Sequence, residues 1–481
     1  VMDDFDSSLR SQFTECSLKN KLSISVIDRI LFLFVLSLAD DPTESRLKKF
    51  FKVTLPFTYS NPYQIKGGAP PTEMIFGREK EINELIDIPG VAIIFGGRQL
   101  GKSTLLKEAE TRFHNPENGQ FFMSGPSLKH YRGKDLKYIR NDFWKKIGDQ
   151  FCAKGLLEKK ETYQFEDIVN FLKERDDLTV LFSFDEMDDF LIEDDKHGFP
   201  ICSDLKQMIS DTGERFKVLM AGLLSVQRFS GRPNVPLAQL GVARNIGMLD
   251  KRDAMELIQV PSAFAGYSFD DASVNTILAY TNRHPGLIQV FCFYLLEYLR
   301  LQRINKRAVT KMYKITQVDI SAIRRKPDIS DAIKSRFQMT IDLHDHWKVL
   351  IYAVIVEGIE LGFDPSQAKK AGEFWWKEGF SGKDTALVKI LLDEMVGLGV
   401  LSRKEGKDRI YSLRSPNILP HLGSRKEIED TLEDFKPLTS RDQSYNHRLS
   451  QSGQLSPFEE SHELVITGHT KLQSNSEQRN V

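Results

Sequence analysis

The chain has 481 residues, with 66 Lys and Arg against 67 Asp and Glu and a formal net charge of −1, which excludes a molecule-wide electrostatic attraction to nucleic acid or membrane. Hydrophobic residues make up 41% and aromatic ones 10%, which excludes disorder throughout, and at roughly 150 residues per domain the length fits about three domains. Cys16, Cys152, Cys202 and Cys292 stand far apart with no C-x-x-C or Cys/His cluster, so neither a disulfide framework nor a zinc site is expected, and the expected compartment is a reducing cytoplasm.

Residues 1–58 read as a helical N-terminal segment. Its apolar run from Ile30 to Ala39 is about half of what spans a bilayer, so a buried helix is expected there and no membrane partner. No cleavable signal pattern precedes it. Because residue 1 is Val, the chain reads as an unusual start or a fragment, and the segment as the remnant of an upstream domain. Pro56 and Ser60-Asn61-Pro62 then break helices, and a second turn-rich stretch, Gly67-Gly68-Ala69-Pro70-Pro71, precedes Ile75-Phe76-Gly77-Arg78-Glu79.

Over 59–250 short apolar runs alternate with helical stretches, the pattern of crossover units on a mostly parallel sheet. The predicted strands are Val91 to Phe95, Gln120 to Met123, Thr179 to Phe184, Phe216 to Met220 and Ala243 to Met248. Over 251–340 helical spacing takes over, as in Leu287, Ile288, Phe291, Tyr294, Leu295 and Tyr298. Arg300 to Arg336 carries eleven Lys and Arg against three Asp; a solvated helical face is expected, ahead of a patch for DNA or an acidic partner. Over 341–432, two helical patterns and a third helix with Leu387, Ile390, Leu391, Met395 and Leu398 on one face lead into Val400-Leu401 and Ile410 to Leu413. These flank a Lys404-Glu405-Gly406-Lys407 turn, so a winged-helix domain is predicted. Residues 433–481 are polar and read as a disordered tail or the truncated start of a further domain.

The strongest motif is Gly96-Gly97-Arg98-Gln99-Leu100-Gly101-Lys102-Ser103-Thr104, a full G-x-x-x-x-G-K-S match between an apolar strand and a helical pattern. Glycines let the backbone wind around a polyphosphate with its N–H groups turned inward, and the following helix directs its positive end at the same anion. Lys102 supplies a charge for the β and γ phosphates, and Ser103 a hydroxyl for Mg²⁺. The apolar run 180–184 ends in Asp185 and Glu186. Asp185 is the expected second holder of the Mg²⁺ shell, and Glu186 the residue that orients or deprotonates the attacking water. Asp188 and Asp189 read as helix-start or surface acids. The extra strand Gln120 to Met123, between the loop and Asp185 in the chain, points to the hydrolysing AAA+-like branch (ASCE) of P-loop NTPases.

Phe76-Gly77-Arg78-Glu79, Ile94 to Lys102 and Phe184-Asp185-Glu186 together resemble the STAND class of signalling ATPases and its origin-recognition and archaeal ATPase relatives. So do Arg215-Phe216-Lys217-Val218, Thr281 to Gln289 and Leu392 to Leu401, and the resemblance covers about 60–432. It implies that Gly77 and Arg78 lie near the nucleotide and that Pro285 meets the base or ribose, although Arg283-His284-Pro285 lacks the first glycine of the G-x-P pattern. It also implies a γ-phosphate sensor after the strand 216–220. Gln227 or Arg228 would serve, with a structural ion pair the equal alternative for Arg228. Arg98 is left between phosphate and solvent.

The resemblance implies ATP or ADP with Mg²⁺, slow hydrolysis, a nucleotide-dependent oligomer, and signalling through an effector or sensor protein, often in bacterial antiphage defence. The alternative is a DNA-binding ATPase of origin-recognition or transposition type, touching DNA through the wing and the basic 300–336 stretch. The third helix, Asp384 to Leu398, has only Lys389 against Asp384, Asp393 and Glu394, which favours an internal lid over a DNA reader.

Overall fold

The computed structural model describes residues 33, 36 and 37 and most of 61–436, with breaks at 66–67, 72–73, 88, 127–130, 132, 224–242, 266, 307–312 and 405–409. The expectations for nearly all of the N-terminal segment, for the polar tail, for Gln227 and Arg228, and for the centre of the wing turn therefore fall outside the described residues. The chain divides into two compact units, one running to Thr340 with Gly397–Gly399 added, the other taking Ile341–Val396 and the residues from Val400.

The first unit opens with α1 (Glu79–Asp87), β1 (Val91–Phe95), α2 (Lys102–Phe113) and β2 (Gln120–Ser124). It continues through α3 (Leu136–Ala153), α4 (Phe165–Lys173), β3 (Thr179–Phe184), α5 (Asp188–Lys196), α6 (Pro200–Asp211), β4 (Phe216–Gly222) and β5 (Ala243–Asn245). All five strands join one parallel sheet in the order β2-β3-β4-β1-β5. The strand lying between β1 and β3 is thus β4; the Gln120 strand, adjacent in the chain, takes the edge beside β3 instead. β5 stops three residues short of the predicted end because its partner β1 ends at Phe95, opposite Asn245, where the chain turns into the glycine-rich loop.

Strands covered on both faces must be apolar throughout, and β1 is buried at every position. The period of two then sorts its side chains. Val91, Ile93 and Phe95 join a core rich in aromatic rings, with Phe143, Phe151, Phe182, Phe184 and Phe216; Ala92 and Ile94 join a smaller, mainly aliphatic core with Ile82, Leu85, Leu105 and Ala109. Fully burying each such large side chain is worth about 1.5–3 kcal/mol.

The first unit ends in a helical part: α7 (Lys251–Phe264), β6 (Tyr267–Phe269), α8 (Asp271–Thr281), α9 (Pro285–Lys306), β7 (Tyr313–Ile315), α10 (Gln317–Arg324) and α11 (Pro327–Ile341). Asp270 caps α8 by accepting from the Ser273 amide. Segment 61–65 packs on these helices: the buried Tyr63 hydroxyl lies within hydrogen-bond reach of the Leu257 and Ile258 carbonyls and Ser262 Oγ.

The second unit contains α12 (Asp345–Val356), α13 (Pro365–Trp375), α14 (Lys377–Phe380) and α15 (Thr385–Gly397), followed by the antiparallel pair β8 (Leu401–Lys404) and β9 (Ile410–Leu413). The acids of α15 are used within this unit. Glu394 is buried and accepts from the Trp347 indole at 3.1 Å; Asp393 accepts from Arg403 and from the Tyr411 hydroxyl, both at 2.8 Å. Asp384 accepts from the Leu387 amide at the start of α15. The acidic character that the sequence gives this helix is therefore largely spent on internal contacts. No helix among the described residues is long and apolar enough to cross a membrane.

Candidate nucleotide-binding site

β1 delivers the chain to Gly96, where a Cβ would come 2.4 Å from the Ile246 carbonyl oxygen, so only glycine fits the gap beside the chain leaving β5. Gln99 (φ 58°) and Gly101 (φ 104°) then adopt left-handed conformations that wind the loop back onto α2. Gly101 is the N-cap of α2 and has no side chain to offer, so no capping group covers the first amides of that helix. An uncapped N-terminus with an adjacent cation is an anion site by construction.

Lys102 Nζ donates to the Gly96 and Gly97 carbonyls at 2.7 and 2.8 Å. Burial lowers its pKa to about 8, against the opposing pull of Asp185, Asp188 and Glu186. Arg98 is exposed, and its charge acts on Lys102 in the same direction as burial.

β3 places Asp185 at its C-terminal edge. The Ser103 hydroxyl donates to Asp185 Oδ2 at 2.9 Å, and Asp185 Oδ1 accepts from the Glu186 amide at 2.9 Å. Glu186 itself is exposed and held at φ 57°, a left-handed conformation costly for a residue with a Cβ. Asp188 begins α5 and accepts from the Leu223 amide at 2.6 Å, fastening the end of β4. Among the described residues no three His, Cys, Asp or Glu side chains cluster as a metal site. A hydroxyl and one carboxylate are nonetheless the hard oxygen donors that Mg²⁺ takes when phosphate and water complete its octahedron.

Arg78 is buried and committed to the scaffold: it pairs with Glu81 at 2.9 Å and donates to the Leu100 carbonyl at 3.2 Å and the Gly247 carbonyl at 2.5 Å. Gly77 (φ 65°) is required for the turn before it, since a Cβ there would lie 2.3 Å from the Asp253 side chain. The Arg283-His284-Pro285-Gly286 turn docks on the loop. Gly286 lies so close that a Cβ would be 2.9 Å from Gln99 Cβ. His284 Nδ1 accepts from the Gly286 amide at 3.1 Å while its ring bonds to the Arg98 backbone. Loss of solvent, helped by the charges of Arg336 and Arg78, lowers the His284 pKa to about 4, so the ring is neutral near neutrality. Arg283, at φ 57°, uses its carbonyl to accept from the Leu249 amide.

These elements enclose a cavity of about 230 Å³. Gly101, Lys102, Ser103 and Thr104 line one part of it, and Met74, Ile75, Phe76, Leu249, Leu257 and Pro285 give it apolar walls. Among the described residues its lining carries the cations Arg78, Lys102 and Arg336 and no carboxylate. Two of the residues that shape it, His284 and Arg336, escaped sequence reasoning. His284 stood beside a named proline, whereas Arg336 was one charge among eleven.

No protein-family model matches the sequence, and no curated protein matches it. Solved structures do. A Walker-type ATPase of Pyrococcus abyssi is 13% identical with a TM-score of 0.50, covering 74% of this chain and 98% of its own. The Aeropyrum pernix ORC2 protein in its ADPNP–ADP complexes is 13% identical with a TM-score of 0.47, covering 77% and 96%. RuvB of Thermotoga maritima is 13% identical with a TM-score of 0.34, covering 70% and 92%. At such identities the likeness is one of fold. Sheet order and the likeness to the Walker-type ATPase together define an α/β P-loop ATPase fold.

Proposed function

We propose that the protein binds ATP in this cavity and hydrolyses it with Mg²⁺. The observation that carries the reading is the 2.9 Å bond from Ser103 to Asp185, which joins the first turn of the loop helix to the acidic end of β3. In this reading the amides from Gly97 to Thr104 receive the phosphates, Lys102 opposes their charge, and Ser103 and Asp185 hold the metal. The apolar wall with Pro285 receives the base, and Glu186 orients the attacking water. Mg²⁺, when bound, supplies charge neutralisation on the transferred phosphoryl group. Phosphate release from ATP, followed with Mg²⁺ and with EDTA, tests it. Turnover should require Mg²⁺ and fall about a hundredfold in Asp185→Asn; equal rates in the two proteins would refute the reading.

The role built on this chemistry is a slow, nucleotide-controlled switch of the STAND type, acting through an effector or sensor partner in a nucleotide-dependent oligomer. It is supported by the way one cavity is walled by both the sheet part and the helical part of the first unit, so that a ligand can favour one arrangement of them over another. A specific observation favours a second reading, a DNA-binding ATPase of origin-recognition type with the second unit as a winged helix. Asp393 and Glu394 of α15 are turned to internal contacts, the first pairing with Arg403, while β8 exposes Lys404. Under this reading duplex DNA should bind with an affinity that falls steeply with salt; absence of binding at low salt would leave the switch alone.

A further inference from the structure

Helix α7 contains Pro261, which has no N–H to return to the Leu257 carbonyl four residues back. Leu257 is buried, and a carbonyl left there without a donor is costly. The Tyr63 hydroxyl, arriving from outside the helix, stands 3.1 Å from that carbonyl, 2.6 Å from the Ile258 carbonyl and 2.8 Å from Ser262 Oγ. Tyr63 and Ser262 are both buried, and loss of solvent raises the tyrosine pKa well above its ordinary value, so the hydroxyl stays a donor. The side chain thus plugs the gap that a proline leaves in α7.

The residues around Tyr63 are fastened to neighbouring helices. Asn61 Nδ2 donates to the Phe293 carbonyl at 3.2 Å and to Glu297 Oε1 at 3.1 Å, both on α9. The Gln64 amide donates to Gln289 Oε1 on the same helix at 3.2 Å, and the Ile65 carbonyl accepts from Arg336 of α11. Gln64 and Ile65, directly after Tyr63, line the cavity, and so does Leu257, whose carbonyl the hydroxyl meets. Tyr63 stands behind that lining. We propose that Tyr63 is a positioning residue for the nucleoside half of the bound nucleotide: its hydroxyl holds segment 61–65 against α7 and so sets Gln64, Ile65 and Leu257 as a wall that the base meets. A wall kept in its binding-competent arrangement raises apparent affinity by the fraction of molecules so arranged. The phosphates belong to the part of the lining formed by Gly101 to Thr104, so the effect of the hydroxyl is confined to the base side. This inference deepens the nucleotide reading of the cavity and rests on it.

The experiment uses the full chain, wild type and Tyr63→Phe, with Mg–ATP and Mg–tripolyphosphate as probes. Phe keeps the ring and removes the bonds to α7. Calorimetry gives the two affinities, and hydrogen exchange follows segment 61–65, α7 and α2 with and without each probe at saturation. The variant should bind ATP about fivefold or more weakly, the equivalent of one net hydrogen bond, and tripolyphosphate as the wild type does. A general loosening of the fold would lower both affinities alike. In the wild type α2 should gain protection with either probe, and segment 61–65 and α7 with ATP alone. Three results would overturn the inference: wild-type ATP affinity in the variant, equal losses for the two probes, or no added protection of segment 61–65 and α7 when ATP protects α2 in the wild type. The last needs no variant to fold. If neither probe protects α2 in the wild type, the nucleotide reading itself fails.

Discussion

Replacing Lys102 by Met removes a charge while keeping most of the volume of the side chain. Its ammonium lies 2.7 and 2.8 Å from two loop carbonyls, which it would relinquish to reach a phosphate. An opposite charge at about 4 Å and an effective dielectric constant near 20 is worth about 4 kcal/mol. The two carbonyl bonds given up are worth about 1 kcal/mol each. About 2 kcal/mol remains, so Lys102→Met should weaken Mg–ATP roughly 30-fold in calorimetry near pH 7. A second readout comes from protonation. With a pKa of about 8, Lys102 is mostly charged near pH 7 and mostly neutral near pH 9. Wild-type affinity should therefore drop as pH rises through this window, by at most about tenfold per unit, and the Met variant should lack that drop. An unchanged dissociation constant in the variant, or the same pH dependence in both proteins, would refute the assignment of Lys102 to phosphate.

Glu186→Gln should bind ATP within about threefold of wild type while phosphate release falls by about 10² or more, and normal release in that variant would remove Glu186 as the water-orienting residue. His284 gives a stability prediction with a definite sign. Its pKa is about 4 against an ordinary 6.5, so between these values the unfolded chain takes up a proton that the folded chain does not, and stability should fall as pH falls through the window. In thermal melts His284→Gln should lose less stability than wild type over that range. Parallel losses would show that the ring is not the responsible group.

The fold was legible wherever local signals agree with burial. All five predicted strands lie in one sheet, because runs such as Val91 to Phe95 are apolar on both faces and flanked by turn chemistry. The order of strands across the sheet was not written in any local run, which is why the Gln120 strand turns up at the edge and the Phe216 strand in the middle. The loop, Asp185 and Ser103 could be located because spacing and chemistry are constrained together. Arg336 could not, since a cation in a basic stretch acquires its meaning only from α11 folding back on Gly286 and Ile65. The contacts of the α15 acids were hidden for the same reason: composition counts Asp393 and Glu394 as surface charge, while tertiary contacts engage them with Arg403, Tyr411 and Trp347.

The two faces of the sheet differ in material. Behind β3 the rings of Phe143, Phe182 and Phe184 lie nearly parallel, with neighbouring centroids 5.6 and 5.9 Å apart, while the face under α2 is built mainly from Ala, Leu and Ile, with Phe113 and Phe122 its aromatic members. Asp185 follows Phe184 directly, so the aim of that carboxylate is inherited from a stack of rings buried in the opposite face. A substitution such as Phe143→Leu, remote from any ligand, would loosen this mounting without altering a single atom that touches one, and its signature would be slowed turnover at ordinary affinity.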